Sequence, residues 1–124
     1  VLGRALREAV GDGRGITRMA HAFVPLDEAL ALVAVDFGGR GYAAIDADLS
    51  DSDLGGLPAH IIDHFLDTLA REGGFNVHAR VFAGVHNHHK AEAVFKALAR
   101  AMRAALTVDE RLLGDAPSTK GTIG

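Results

Sequence analysis

Cysteine and tryptophan are absent from the 124 residues, and tyrosine occurs only once. Without cysteine the chain has no disulfide, no thiolate metal ligand and no cysteine nucleophile. A metal ion would therefore be held by imidazole and carboxylate groups. The scarcity of aromatic rings argues against a stacking surface for single-stranded nucleic acid.

Long apolar runs and an excess of positive charge are also missing. The longest apolar segments are far shorter than a membrane span, and no charged and then apolar leader precedes a cleavage site. The formal net charge is -3, so no global positive field indicates a nucleic-acid partner. We therefore expect a cytoplasmic location, with neither nucleic acid nor membrane as a partner.

The hydrophobic content of 48% and the charged content of 23% are ordinary for a globular protein, and the length suits one domain. Hydrophobic spacing predicts a sequence of elements along the chain. These are a helix fragment over 1–10, strands over 19–24, 29–37 and 42–47, a helix from 57 to 73, a strand over 75–83, and a helix over 87–105. An exposed loop is expected over 48–56. For residues 29–37 the alanines make a helix an alternative to the predicted strand.

This order of elements predicts an α+β fold of two layers. The simplest packing is a four-stranded, mostly antiparallel sheet with the two long helices on one face. The helix fragment at 1–10 has no capping residue before it, whereas Gly11-Asp12-Gly13 ends it. We therefore expect the chain to lack an upstream part.

The strongest chemical signal is the run from His86 to Lys96. On a helix, His88 and Glu92 are four residues apart, and His89 and Glu92 are three apart, so the carboxylate can lie beside either ring. Two imidazoles and a carboxylate suit a divalent transition metal. The alternative is a solvated helix start, but the cluster favours a metal site, and Lys96 would lie one turn further along the same face.

Other histidines give weaker signals. His64 lies on a predicted polar helix face with His60, Asp67 and Arg71, and from the residues alone an exposed surface histidine is the better interpretation. His21 and His78 lie on predicted strands among apolar residues and are interpreted as structural.

A phosphate site is indicated by several dispersed groups. Arg18, Arg40 and Lys96 could supply positive charge, and Ser118-Thr119-Lys120-Gly121 offers hydroxyl, backbone N–H and ammonium groups together. Taken singly, each residue is a plain surface group. The prediction depends on the combination.

Longer motifs resemble a known family. The segments His88-His89-Lys90-Ala91-Glu92-Ala93-Val94-Phe95-Lys96-Ala97-Leu98-Ala99-Arg100-Ala101 and Pro117-Ser118-Thr119-Lys120-Gly121 are similar to imidazoleglycerol-phosphate dehydratase of histidine biosynthesis. Gly15-Ile16-Thr17-Arg18, Pro25-Leu26-Asp27-Glu28-Ala29 and Val35-Asp36-Phe37-Gly38-Gly39-Arg40 fit its pattern in the same order. The resemblance extends over essentially the whole chain.

The resemblance implies a tandem fold of two similar half-domains, each a four-stranded sheet with two helices. Residues 1–10 would then be the terminal helix of a missing upstream half-domain, and residues 11–124 the second half-domain with a C-terminal phosphate-binding tail. Only one of the family's two His-His-x-x-Glu segments is present. We therefore expect a C-terminal portion of the enzyme.

The resemblance also implies roles for individual residues. His64, His88, His89 and Glu92 would be ligands to a pair of Mn²⁺ ions, and Glu92 would also be catalytic. Arg18, Arg40, Lys96, Ser118 and Lys120 would bind the substrate phosphate. His86 departs from the family's usual Asn and is not assigned as a ligand, and neither Asp27 nor Glu28 receives a role.

The implied reaction is the dehydration of D-erythro-imidazole-glycerol phosphate to imidazole-acetol phosphate. The implied assembly is a shell of 24 subunits built on trimers, with sites between subunits. An alternative is a non-catalytic metal-binding or assembly fragment that keeps the fold but lacks half of the metal ligands. A third interpretation is that two copies pair and each supplies the ligands that the other lacks.

Overall fold

The structure is a computed structural model that describes residues 1–49, 53–54, 57–58 and 60–112. The helices are α1 (Leu2–Val10), α2 (His60–Gly73) and α3 (Asn87–Ala105), with a short 3-10 helix at Glu110–Leu112. The strands are β1 (Met19–Leu26), β2 (Ala29–Asp36), β3 (Tyr42–Asp46), β4 (Asp53–Leu54), β5 (Leu57–Pro58) and β6 (Asn76–Ala83).

Four strands form the main sheet in the order β1-β2-β6-β3. The β1–β2 and β2–β6 pairs are antiparallel, and β3 runs parallel to β6. The β3–β6 pair is parallel because α2 lies between these strands in the chain. The helix carries the chain back to the end of the sheet where β3 began, so β6 runs in the same direction as β3. The predicted α+β fold with a mostly antiparallel sheet is confirmed.

The helices α2 and α3 cover one face of the sheet and bury the apolar side chains of β2 and β6. Alternation explains the pattern, since Ala29, Ala31, Val33 and Val35 of β2 are buried and the residues between them are only partly so. Phe37 and Phe75 are almost fully buried and stack with ring centroids 4.6 Å apart. This interior fixes the position of α3 across the sheet.

The two ends of α3 lie at opposite ends of the sheet. At its start, the side chain of Glu28, in the β1–β2 turn, bonds the backbone of Val85 and His86. At its end, the backbone N–H of Arg18 donates to the carbonyl of Ala105 over 2.8 Å. Since a helix rises about 1.5 Å per residue, these ends are roughly 27 Å apart.

The first helix packs on α2. A Cβ at Gly3 would lie 2.5 Å from the Cβ of Glu72, so glycine permits this close approach. The division of the chain at residue 11, with α1 belonging to another half-domain, stays a prediction. Among the described residues no helix has the length and hydropathy to cross a membrane.

Several predicted boundaries were wrong. Strand β1 continues through Pro25 to Leu26, which an edge strand tolerates because its outer N–H groups need no partner. Strand β4 lies inside the segment that was expected to be a loop, and it pairs with Leu57 and Pro58. The helix that was expected from residue 57 therefore begins only at His60. On α3, the apolar side chains of Phe95 and Ala99 are exposed.

Candidate functional site

The start of α3 carries an imidazole and a carboxylate in contact. Nε2 of His88 lies 3.5 Å from Oε2 of Glu92, as their spacing of four residues predicts. The Nζ of Lys96 lies 3.2 Å from Oε1 of the same carboxylate. His88, Glu92 and Lys96 therefore form a continuous line of polar groups along one partly exposed face of α3.

His89 faces a different partner, on the β1–β2 turn. Its Nδ1 lies 2.5 Å from Oε1 of Glu28, and its Nε2 lies 3.7 Å from Oδ2 of Asp27. The second oxygen of Glu28 accepts the backbone N–H groups of Val85 and His86, over 2.8 and 3.0 Å. Glu28 therefore joins the hairpin turn to both the backbone and the imidazole at the start of α3.

These contacts change the acidity of both groups. The two backbone N–H donors and the His89 ring lower the pKa of Glu28 to about 2. The hydrogen bond to Glu28, aided by the nearby charges of Asp27 and Glu92, raises the pKa of His89. Glu28 is therefore an ionised acceptor at neutral pH, and His89 donates to it through Nδ1–H.

The chemistry of these donors fits a Mn²⁺ ion, but their number in one chain is small. Imidazole nitrogens and carboxylate oxygens are suitable ligands for manganese. Within the described ranges, however, no group of three or more histidine, aspartate or glutamate side chains is placed to hold a metal. The assignment of His64, His88, His89 and Glu92 as ligands stays a prediction, and it requires donors beyond those described here.

His64 lies exposed on α2 and belongs to no such three-ligand group in the part of the chain described. Its neighbour Phe65 faces a groove between α2 and α3 with a volume of ≈ 450 Å³. His88 and Glu92 line the rim of this groove, and the remaining lining is apolar. The groove thus brings α2 next to the histidine cluster without bringing His64 into contact with it.

The predicted phosphate-binding residues fall into separate places. Lys96 is on α3 near the histidines, whereas Arg18 lies at the far end of α3, where its Nε is 2.6 Å from Oδ1 of Asp36. Arg40 is exposed in the turn between β2 and β3. Ser118 and Lys120 lie outside the described residues. One chain therefore does not bring Arg18 within reach of the His88–Glu92 pair.

Sequence reasoning assigned no role to three groups that the structure makes prominent. Glu28 contacts His89, Asp36 holds Arg18, and the buried Lys90 donates from Nζ to the carbonyl of Asp48 over 2.9 Å. Each partner is at least 18 positions away in the chain. Only the resemblance over Pro25–Ala29 pointed to the Glu28 segment, and it indicated no contact.

Comparison with known proteins gives a consistent result. Residues 1–102 match the family model described as imidazoleglycerol-phosphate dehydratase. The dehydratase of Dehalococcoides mccartyi strain 195 is 54% identical over 122 residues, which cover 98% of this chain and 62% of that protein. The dehydratase of Methanoculleus marisnigri is 54% identical over 123 residues, covering 99% of this chain and 63% of that protein.

Solved structures give the same result for the fold. The dehydratase of Staphylococcus aureus superposes with a TM-score of 0.84 at 33% identity, covering 87% of this chain and 64% of that one. The Pyrococcus furiosus enzyme, in complex with (S)-C348, gives a TM-score of 0.82 at 37% identity, covering 97% of this chain and 64% of that one. The chain thus spans less than two thirds of the length of these relatives.

Proposed function

The chain belongs to the imidazoleglycerol-phosphate dehydratase family, and on that premise we propose that it takes part in the dehydration of D-erythro-imidazole-glycerol phosphate to imidazole-acetol phosphate. This activity is that of a carbon–oxygen lyase of histidine biosynthesis. The observation that carries the proposal is the contact between His88 and Glu92 at the start of α3, with Lys96 on the other oxygen of the same carboxylate.

The histidine cluster would supply metal ligands. His88, His89 and Glu92 would hold Mn²⁺, and His64 would serve as a further ligand. A bound manganese ion would act as a Lewis acid and as a template for the substrate. The other family expectations, namely a large symmetric assembly and a cytoplasmic location, belong to the same proposal.

The side chains of this chain would orient the substrate and move its proton. Glu92 would accept the proton that leaves carbon, as a carboxylate general base. Lys96 would bind the phosphate, which it can reach by leaving Glu92, because an exposed ion pair of this kind is worth only about 0–1 kcal/mol. Binding the remote phosphate would hold the reacting carbons in place without taking part in bond making.

Two observations support a site built from more than one copy of the chain. Arg18 contacts the last residue of α3, whereas His88 and Glu92 lie in its first two turns, roughly 20–26 Å away along the helix axis at 1.5 Å per residue. In addition, no three potential ligands come together in the described part of the chain. Arg18 and Arg40 of one copy would therefore serve the histidine cluster of another.

Titration with Mn²⁺ tests the metal part of the proposal. We expect His88→Ala and Glu92→Ala each to weaken binding, whereas His21→Ala, on the exposed side of β1, should leave it unchanged. Unchanged binding in both cluster variants would overturn the metal assignment. Manganese binding without any turnover of imidazole-glycerol phosphate would instead favour the non-catalytic metal-binding module, which the low ligand number also favours.

A complementation assay tests the shared site. His89→Ala and Arg18→Ala would each be inactive alone, because each removes one end of the composite site. Co-refolded mixtures should recover part of the activity, since some sites then combine an intact His89 from one copy with an intact Arg18 from another. No recovery from a mixture of two variants that both assemble would mean that these residues do not serve one site from different copies.

A further inference from the structure

The β1–β2 turn carries a carboxylate that is directed at the histidine cluster, and we propose that Glu28 is the positioning residue of His89. In this proposal Glu28 holds the His89 ring with its proton on Nδ1, so that Nε2 is the nitrogen left with a free lone pair. The value of this arrangement for metal binding rests on the proposed function, but the state of the ring does not.

The donor and acceptor chemistry of the pair leaves one assignment. Glu28 is ionised at neutral pH and can only accept, so the nitrogen 2.5 Å from its Oε1 must be the protonated one. A neutral imidazole carries one proton, and therefore Nε2 is unprotonated whenever the ring is neutral. A histidine that binds a metal through one nitrogen commonly donates the other N–H to a carboxylate, which fixes its tautomer and orientation.

The carboxylate is itself held in place by the fold. Asp27 and Glu28 form the two-residue turn between Leu26 and Ala29, and Asp27 takes the left-handed conformation with φ 50. This tight turn is rigid because both of its strands are paired in the sheet. The backbone N–H groups of Val85 and His86 then fix Oε2, which leaves Oε1 directed at the ring.

The same contacts position the start of α3. His86 is the residue before the first helical turn, and its carbonyl accepts the backbone N–H of Lys90 over 3.0 Å. No side-chain cap from the helix itself is formed at this end. Glu28 therefore orients the segment from which both His88 and His89 project, in addition to the ring of His89.

Replacement of Glu28 by glutamine gives a prediction that depends on this geometry. The amide oxygen must take the place of Oε2, because only an oxygen can accept the two backbone N–H groups. The amide NH₂ group then faces Nδ1 and can only donate to it. In Glu28→Gln the His89 proton should therefore move from Nδ1 to Nε2, the nitrogen that the wild type leaves free.

Solid-state NMR of protein labelled with ¹³C and ¹⁵N in histidine tests the tautomer. The method suits any particle size, and His89→Ala assigns the His89 signals. At a pH where the ring is neutral, we expect the Nδ1–H form in the wild type and the Nε2–H form in Glu28→Gln. The Nε2–H form in the wild type, or an unchanged tautomer in the variant, would overturn the proposal.

Two controls separate this effect from general damage. Glu72→Gln removes an exposed carboxylate that pairs with Arg4 and should leave the His89 signals unchanged. Asp27→Asn changes the group 3.7 Å from Nε2, and asparagine tolerates the left-handed backbone, so the Nδ1–H form should persist. A tautomer change in either control would contradict control of the ring by Glu28.

Titration with Mn²⁺ alone then tests the consequence for binding. Loss of an outer carboxylate of this kind weakens metal affinity by about 10- to 100-fold, and we expect a loss of that size in Glu28→Gln. A tautomer change without any loss of Mn²⁺ affinity would mean that His89 is not a metal ligand, although Glu28 still positions its ring. If the wild type does not dehydrate imidazole-glycerol phosphate, the proposed function is contradicted. The NMR spectra would still decide whether Glu28 positions His89.

Discussion

Arg18 and Asp36 form a close ion pair, with Nε of the guanidinium 2.6 Å from Oδ1 of the carboxylate and both side chains partly buried. The pair joins the segment before β1 to the end of β2. The hydrogen bond and charge of Asp36 raise the pKa of Arg18. The ion pair with Asp36 therefore holds the Arg18 side chain in place near the C-terminal end of α3. If Arg18 binds phosphate as predicted, it would do so at this position.

Removal of the Asp36 charge tests the structural part of this pair. We expect Asp36→Asn to lower the free energy of unfolding by about 1.5–3 kcal/mol, the usual range for hydrogen bonds to a charged group. Asp46→Asn is the matched control, because Asp46 is exposed and lies 4.0 Å from Arg80, so its loss should be below about 1 kcal/mol. Equal losses in urea denaturation of the two variants would contradict a special role for the Arg18–Asp36 pair.

Lys90 gives a second stability prediction. Its side chain is buried, and its Nζ donates to the carbonyl of Asp48 beyond the end of β3. Lys90→Met keeps most of the apolar stem and loses the hydrogen bond, which should cost about 1 kcal/mol. Lys90→Ala also loses buried methylenes and should cost roughly 2 kcal/mol more, at about 0.8 kcal/mol per methylene.

Lys96→Met, on an exposed part of α3, is the control for the Lys90 variants and should change stability little. A chemical denaturation series would rank the three proteins. If Lys90→Met were as stable as the wild type, the desolvation of the ammonium group would cancel its hydrogen bond to Asp48.

The Glu28–His89 pair predicts a pH window for the stability of the metal-free protein. The pKa of Glu28 is lowered from 4.5 to about 2, so its contribution is present above pH 4.5 and is lost as the pH falls toward 2. The pKa of His89 is raised above 6.5, so its contribution is present below pH 6.5 and is lost as the pH rises through the folded-state value.

The stability difference between wild type and Glu28→Gln should therefore be largest between pH 4.5 and 6.5 and decline on both sides. Urea denaturation in the presence of a chelator at a series of pH values measures it. Glu72→Gln should show no such maximum. A difference that is flat from pH 3 to 9 would mean that the pair contributes nothing to folding through its charges.

A fourth prediction concerns the close approach of the β3 entry to α2. A Cβ at Gly41 would lie 2.5 Å from the Cα of Arg71 and 2.8 Å from the carbonyl oxygen of Ala70, and both are backbone atoms. Gly41→Ala should therefore cost about 1–3 kcal/mol through overpacking. At Gly38 the nearest atom is a guanidinium nitrogen of Arg18, 2.9 Å away, and a side-chain end can shift more easily than backbone atoms, so Gly38→Ala should cost less. The order of thermal midpoints tests this difference.

The phosphate role of Lys96 gives a functional prediction. Lys96→Ala should weaken the binding of substrate or inorganic phosphate while leaving Mn²⁺ affinity within a few-fold, because its ammonium group contacts Oε1 of Glu92 and His88 contacts the other oxygen. Calorimetric titrations with each ligand measure the two effects separately. An equal loss of both affinities would indicate that Lys96 acts by holding Glu92.

The local chemistry of the chain was predictable from its sequence. The period of the apolar residues identified α3 and the main strands, and the spacing of His88 and Glu92 placed them on one helix face. The errors occurred where tertiary pairing overrides local preference. Pro25 stays in a strand because β1 is an edge strand, and Leu57-Pro58 leaves the helix because it pairs with β4.

The sequence by itself determined the α+β fold class, the family and the histidine cluster, because these depend on periodicity and on motifs within short segments. Only the tertiary structure decided that Glu28 contacts His89 and that Asp36 holds Arg18, since each pair comes together through strand pairing and helix packing. The tertiary structure also placed Arg18 and the His88–Glu92 pair toward opposite ends of α3. That separation follows from the length of a rigid helix and cannot be obtained from residue types alone.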